Sequence, residues 1–409
     1  MRTMPVGVLL LTVTVITNAG CGSDAPPSDH TTNRTGERDT GSAPVAYATL
    51  ELETSYPEGF TFLNGIRELS DGTILAADPL AEILLRINLD ESRADTIGRA
   101  GPGPQEYEQP DQVFPLPGDS TLLVDLGKMQ LTALGPDGIF GDGIPMAVAG
   151  DGPFPMVLHP RFVDDLGRLY DRAARSRDGG PTDSVAVIRF DRADRQLDTV
   201  ATLWSPEVRQ TRSRGGGFVP EMLGPMDAWA VGPDGSVAVV RAQGFSVEWW
   251  RRGGERIPGP PNRFPTHTVG RAEKEAVVAG IRSSGISMTA VASPDGSVSR
   301  MTMNRGLSFP GEGPSVDDYE WAERLPPFRP DRARVSPSGE LWVERYLPAD
   351  SLPQMIVFDG QGQILGEVAL PPDRRLIGLA DGRDGDQWAY LVRTDEFDLK
   401  WLERYRVVR

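Results

Sequence analysis

One short pattern is written six times along this chain: a polar turn, a β-rich run, a gap, a second β-rich run and another turn. Its copies begin at Asp71-Gly72-Thr73-Ile74, Gly118-Asp119-Ser120-Thr121, Leu166-Gly167-Arg168-Leu169, Asp234-Gly235-Ser236-Val237, Ser338-Gly339-Glu340-Leu341 and Asp384-Gly385-Asp386-Gln387. A lone four-stranded sheet cannot bury both of its faces, so units repeated at this spacing stack face to face around an axis. The pattern predicts an all-β, six-bladed β-propeller.

Within a unit the period-two runs give four strands. The first unit reads as strands at 65–69, 73–77, 83–87 and 94–98, and the second repeats this at 112–116, 121–124, 130–134 and from 139 onward. The last unit has runs at 376–380, 387–392 and 400–407, and no fourth. A blade lacking its outer strand would expose a row of unpaired backbone groups. Residues 45–53 alternate like a strand and have no blade of their own, so they are predicted to supply that missing strand and close the ring.

Composition narrows the partners. Asp and Glu outnumber Lys and Arg by 58 to 42, a formal net charge of −16, which repels nucleic-acid backbones and anionic lipid surfaces. No nucleic-acid partner is expected. The 36 prolines and 46 glycines suit a chain that turns every few residues.

Residues 1–20 read as a signal peptide: Arg2 gives a small positive n-region, residues 6–16 are apolar, and Ala19-Gly20 precede the single cysteine, Cys21. The segment around Cys21 resembles a bacterial lipobox, whose cysteine is acylated, although Asn18 stands where that motif has an aliphatic residue. Cleavage after Ala19 instead would release a soluble protein. Residues 21–44 are rich in Ser, Thr, Asp, Pro and Gly and read as a disordered tether. The chain is thus expected at the bacterial cell envelope, touching membrane through its lipid anchor only. Gly22 after the cysteine leans toward the outer membrane, facing the periplasm or the cell surface.

Two regions break the period. Residues 172–182 and 204–225 lengthen the third unit. Residues 258–330 form a longer insertion, in which Thr268 is expected to cap a helix with Ala272, Ala276, Val277, Ala279 and Ile281 on its apolar side. Ser293-Pro294-Asp295-Gly296-Ser297-Val298 imitates a seventh repeat, but no third strand follows it.

The stretch from Gly98 to Pro110, with Gly101-Pro102-Gly103, Tyr107 and Pro110 leading into the next inner strand, resembles an NHL repeat. Val335-Ser336-Pro337-Ser338-Gly339-Glu340-Leu341-Trp342-Val343 resembles another. The mature chain is similar to six-bladed propellers of the NHL and TolB-like group, particularly the bacterial exported ones. That resemblance implies a fold and not an activity, because such propellers include lactonases, lyases, quinoprotein dehydrogenases and plain binding modules. It also implies that Asp78 and Asp125, after second strands, brace the loops beside them.

Propeller chemistry gathers where inner strands begin. Aligning the units on their turn glycines places Asn64, Asp111, His159, Asp227, Asp331 and Ile377 at those starts. Asn64, Asp111 and Asp227 are the candidate metal ligands, for Ca²⁺, which favours oxygen donors. Asp and Asn before strands also bond their own turns, which is the alternative reading. Further along lie Arg67, Arg161 and Arg334, which can fork onto a carboxylate or phosphate, and Trp229, which offers a stacking face. The same arginines can instead neutralise neighbouring acids.

An enzyme is short of parts on this sequence. The histidines are only His30, His159 and His267, the folded part has no cysteine, and no Gly-x-Ser-x-Gly elbow occurs. No catalytic residue is assigned. The expectation is a binding or interaction propeller at the envelope, taking an envelope protein, a small ligand or a carbohydrate. The alternative is a Ca²⁺-dependent hydrolase or lyase, lactonase-like, with its site in the channel mouth.

Overall fold

The computed structural model describes residues 45–148, 156–173, 183–206, 221–284, 286–292, 298–305, 313–382 and 385–409, with the short strands Leu10–Val13, Thr211–Arg212 and Phe218–Val219. Cys21, the expected tether and His30 lie outside the described residues. No described helix is long and apolar enough to cross a membrane.

Six antiparallel four-stranded sheets account for the repeats. The first blade is Ile66–Glu68, Ile74–Asp78, Ile83–Asn88 and Arg93–Thr96, and the second is Pro110–Pro115, Thr121–Asp125, Gln130–Leu134 and Phe140–Pro145. The third holds Phe162–Val163, Leu169–Arg172, Ser184–Phe190 and Leu197–Trp204. The fourth holds Ala228–Val231, Val237–Arg241, Ser246–Trp250 and Arg256–Pro258, and the fifth Phe328–Val335, Leu341–Arg345, Gln354–Phe358 and Ile364–Ala369. In the sixth, Arg374–Asp381, Gln387–Thr394 and Lys400–Val408 are completed by Thr49–Ser55 from the other end of the chain. The predicted closure is therefore present, with Thr49 opposite Val408 and Ser55 opposite Glu403. Each first-listed strand is the innermost of its blade, and each touches the next around the ring, the sixth returning to the first.

Burial follows the blade boundaries. Six hydrophobic clusters fill the six gaps between neighbouring blades. Leu69, Leu84, Val113 and Leu123 fill the gap between the first and second blades, and Tyr170, Leu203, Trp229 and Val239 the gap between the third and fourth. Trp249, Phe328, Ile356 and Phe358 join the fourth to the fifth, and Ile74, Ile87, Tyr390 and Leu402 join the sixth to the first. A central strand whose two faces both meet neighbours must be apolar throughout, and all five residues of Ile74–Asp78 and of Thr121–Asp125 are buried.

Turns are clasped across blades. Asp164, 1 % exposed, accepts hydrogen bonds from the Leu166 and Arg168 N–H groups, Arg168 Nε and the Tyr170 hydroxyl. Gly235 of the next blade's turn sits against this knot at φ 78°, where a Cβ would lie 2.8 Å from Asp164 and from Arg168. Only glycine has both the conformation and the clearance.

The insertion is no seventh blade. Its helix, Arg271–Ser284, buries Val277, Val278 and Ile281 beside Met222 and Trp321, whereas Ala272 and Ala279 face solvent. Thr268 does not cap it: Thr268 bridges Arg324 in the stem, and Glu273 Oε2 accepts the Gly270 N–H at 2.8 Å. A hairpin of Ile286–Ala292 and Val298–Arg305 follows, to which Leu10–Val13 adds a third strand. The hairpin tip lies outside the described residues, and Met303 is buried in the core between the second and third blades.

Candidate functional site

The inner strands of all six blades start at one end of the ring, and the sequence-predicted residues divide there into two groups. Asn64, Asp111, His159, Arg161, Asp227 and Asp331 belong to inner strands or the residues leading into them at this end, whereas Arg334 is the penultimate residue of its inner strand. Arg67 points to the opposite end, where it is 7 % exposed and its Nη2 lies 2.8 Å from Asp119 in the neighbouring blade's turn. It is an inter-blade clasp rather than part of the mouth. Trp229 offers no open face, being 5 % exposed and packed edge-on to Phe162 with centroids 4.9 Å apart.

Each of the three proposed Ca²⁺ ligands has a partner of its own. Asn64 Oδ1 accepts from Arg375 at 3.2 Å, Asp111 Oδ2 meets His159 Nε2 at 2.8 Å, and Asp227 Oδ2 meets Arg241 at 2.6 Å. Asp227 also accepts the Trp204 and Ala242 N–H groups, each at 2.9 Å. Among the described residues no three His, Cys, Asp or Glu side chains cluster as a metal site. The donor set is thus taken up by guanidinium and imidazole partners, which compete with a cation for the same oxygens.

The bracing carboxylates show why the alignment slipped by blade. Asp78 accepts the Thr61, Phe62, Leu80 and Ala81 N–H groups, and Asp125 those of Glu108, Gln109 and Lys128. In the third blade Asp171 takes the same part and accepts the His159 N–H at 2.8 Å. His159 therefore matches Phe62 and Gln109, and Arg161 is the residue equivalent to Asn64 and Asp111. In the sixth blade a register shift between Leu376 and Gly378 moves the start backward, so that Ile377 is core and Arg375 is the polar residue of the mouth.

The largest departure is in the fifth blade. Phe328 pairs with Arg345 and Ala333 with Val343, so Arg329, Pro330, Asp331 and Arg332 are looped out of the ladder of an inner strand. Such bulges re-aim side chains. Arg329 pairs with Glu344 at 2.9 Å and lies 4.1 Å above the Tyr346 ring. Arg332 Nε is 3.4 Å from Asp331, whose side chain stays 48 % exposed although deeply placed, as expected of a group lining a water-filled channel. Arg334 donates to its own strand's Ala333 carbonyl and stands 5.9 Å over Phe162. Sequence reasoning missed Arg329, Arg332 and Arg375. The alternation of Arg332 with Arg334 was their one visible signal.

Charge at the mouth is strongly coupled. Burial, followed by the repulsion of Arg332 and Arg334, depresses the Arg375 guanidinium to about 9, and burial with Arg332 and Arg161 depresses Arg334 to about 10. Burial alone would raise Asp331, but Arg332, Arg329 and Arg375 hold it below its ordinary value. Across the channel, His159 is 24 % exposed with buried Asp111 behind it, and Asp111 Oδ1 has no hydrogen-bond partner. Burial works against the imidazolium, yet the hydrogen bond and charge of Asp111, then the charge of Asp171, outweigh it and the opposing Arg161, so the His159 pKa is raised.

A pH test follows from that direction. A raised folded-state value means that the protonated pair stabilises fully below about pH 6.5 and loses its contribution as pH climbs through the raised value. The variant His159→Gln keeps a donor but no charge, so it should cost on the order of 1–3 kcal/mol in acid and progressively less in base. Thermal unfolding of both proteins across pH measures this, and a gap that widens with pH would contradict it.

No protein-family model matches the chain, and neither does any curated protein. Among solved structures, a gluconolactonase from Xanthomonas campestris is 12% identical with a TM-score of 0.41, covering 90% of this chain and 98% of its own. Regucalcin, a calcium-binding protein from Agrobacterium tumefaciens, is 10% identical with a TM-score of 0.40, covering 88% and 96%. Virginiamycin B lyase from Staphylococcus aureus is 10% identical with a TM-score of 0.36, covering 88% and 99%. None of them lends this chain a substrate.

Proposed function

We propose that this chain is a ligand-binding propeller of the bacterial cell envelope, exported, anchored through Cys21, and akin to the NHL-type exported propellers. Its ligand site is the channel mouth beneath the insertion. The observation that carries this reading is the path of the insertion. It leaves the ring between the fourth and fifth blades, and Met303 docks on Gln109 at the start of the second blade, with the third and fourth blades between. We take a segment tied to the ring at these two places to cover the mouth, so that the charged inner-strand residues face an enclosed space. Enclosure with few, directed polar groups is what small-ligand sites have in common.

Native mass spectrometry of the full chain, purified from the envelope without refolding, tests this. A small molecule that stays bound and is released on unfolding is expected. Recovery of a bare protein that also shows no thermal shift with any small-molecule fraction of the envelope would overturn it.

One observation favours a second reading. A buried carboxylate behind a partly exposed imidazole, as in Asp111 and His159, is how proteins orient a general base. On that reading the channel is a hydrolase or lyase site. Turnover of a lactone or ester panel that vanishes in His159→Gln, with or without added Ca²⁺, would establish it over the binding module.

A further inference from the structure

We infer that the channel holds an oxyanion-binding site, built from Arg332 and Arg334 on the bulged strand of the fifth blade, Arg375 of the sixth and Arg161 of the third. This deepens the binding reading above and rests on it. The ligand class is a small carboxylate or phosphate.

The argument begins with an imbalance. The chain as a whole carries −16, yet its inner strands bring guanidiniums together. Most arginines elsewhere in the fold are matched by acids: Arg241 by Asp227 and Glu248, Arg374 and Arg393 by Glu403, Arg404 by Glu53 and Asp90. Arg329 is likewise matched by Glu344. In the channel Asp331 is the carboxylate that bears on both Arg334 and Arg375, and Glu344 bears on Arg375 as well. Arg375 spends its donors on neutral oxygens, the Asn64 amide at 3.2 Å and the Leu63 carbonyl at 2.7 Å, and Arg334 on a carbonyl of its own strand. Arg161 stands 3.8 Å from Asp171, too far for a tight pair, and is 41 % exposed.

Like charges held together under a roof raise the free energy of the empty site. An oxyanion entering it removes that repulsion and gains forked hydrogen bonds, the geometry for which guanidinium is suited. The depressed values of Arg334 and Arg375 agree with this, since both remain charged near neutrality and both would rise again beside an anion. The bulge supplies the placement: the residues looped out of the ladder leave Arg332 two positions before Arg334 on the same strand.

The test is calorimetric titration of the full chain with inorganic phosphate and, separately, with citrate, in a chloride buffer of low ionic strength. Saturable binding of at least one is expected, weakened at least about tenfold in Arg332→Gln and in Arg375→Gln. Arg252→Gln, which removes a surface guanidinium paired with Asp165, should bind as the parent does. Arg375 also holds Asn64 and Leu63, so if Arg375→Gln does not fold, Arg334→Gln takes its place. A second readout needs no ligand: Arg334→Met removes one of the repelling charges and should melt at or above the parent temperature.

No heat with either anion, or equal binding by all variants, would overturn the inference. So would a lower melting temperature for Arg334→Met in the empty protein. If a bound small molecule is recovered equally from the parent and from Arg332→Gln, the channel reading survives and the oxyanion site falls. If neither a bound molecule nor oxyanion heat is found, both fall.

Discussion

A chain beginning at residue 57 should fail to form a cooperative fold, whereas one beginning at residue 45 should melt close to the full-length protein. The shorter chain lacks Thr49–Ser55, which pairs with residues 403–408 of the last strand. Backbone hydrogen bonds are worth about 0.5–1.5 kcal/mol net each, and the register contains six paired positions. Side chains add to that loss. Ala48 and Leu50 pack into the core between the fifth and sixth blades, and Glu53 meets Arg404 at 2.6 Å. The combined loss is comparable to the roughly 5–15 kcal/mol by which domains are stable at all. It also leaves the outer edge of the last blade open for pairing with another chain.

The expected outcome is therefore aggregation, or a melting temperature lower by on the order of 10 °C or more with a broadened transition. Calorimetry and size-exclusion chromatography of the two truncations decide it. Removal of residues 1–44 costs the pairing of Leu10–Val13 with the insertion hairpin, which belongs to no blade. Should both truncations behave alike, closure by the N-terminal strand would not be what holds the ring.

The architecture was legible because it is written in local signals repeated in phase. A turn glycine fixes where each hairpin reverses, and alternation fixes which face is buried. The glycines of the Asp71-Gly72, Asp234-Gly235 and Ser338-Gly339 turns all take positive φ, as the pattern requires. The unpaired run at 45–53 was legible for a related reason: an outer strand was missing at one end and surplus at the other.

The site was legible only in part, since site geometry depends on departures from the repeat. Aligning on turn glycines assumes equal strand lengths, and bulges in the fifth and sixth blades break that assumption. Asn64 and Asp111 hold equivalent positions ahead of or within their inner strands, and Arg161 and Arg375, not His159 and Ile377, are their counterparts in the third and sixth blades. Arg67 was misplaced because alternation says which side a residue takes but not toward which end a long guanidinium reaches. The roof was invisible in sequence, as Gln109 and Met303 lie 194 residues apart.

That roof gives the other large effect. Gln109 is 6 % exposed and makes three hydrogen bonds with the main chain: its amide donates to the Met303 carbonyl at 2.8 Å and to the Pro79 carbonyl at 3.1 Å, and its Oε1 accepts the Met303 N–H at 2.6 Å. Gln109→Leu keeps the volume and removes every partner. Each buried group stranded by the change costs about 1–3 kcal/mol, and the cheapest way to hydrate the Met303 groups is to lift the hairpin. Among the described residues, Met303's neighbours add the Met301 N–H to Leu126 O at 3.3 Å and Arg300 to Glu108 at 3.1 Å, a long hydrogen bond and a solvent-exposed ion pair. They are too weak to hold it alone.

Blade strands should feel little of this, because each inter-blade core other than the one containing Met303 is made without the hairpin. The variant is therefore expected to keep its β-sheet signal while amides of Val298–Arg305 exchange at least about tenfold faster and nearby peptide bonds become open to protease. Ligand bound in the channel should at the same time leave faster, since the enclosure that retained it has opened. Hydrogen exchange read by mass spectrometry separates the outcomes. Uniform acceleration across all six blades would mean that Gln109 supports the ring itself, and an unchanged hairpin would mean that Met303 is held by its apolar surroundings.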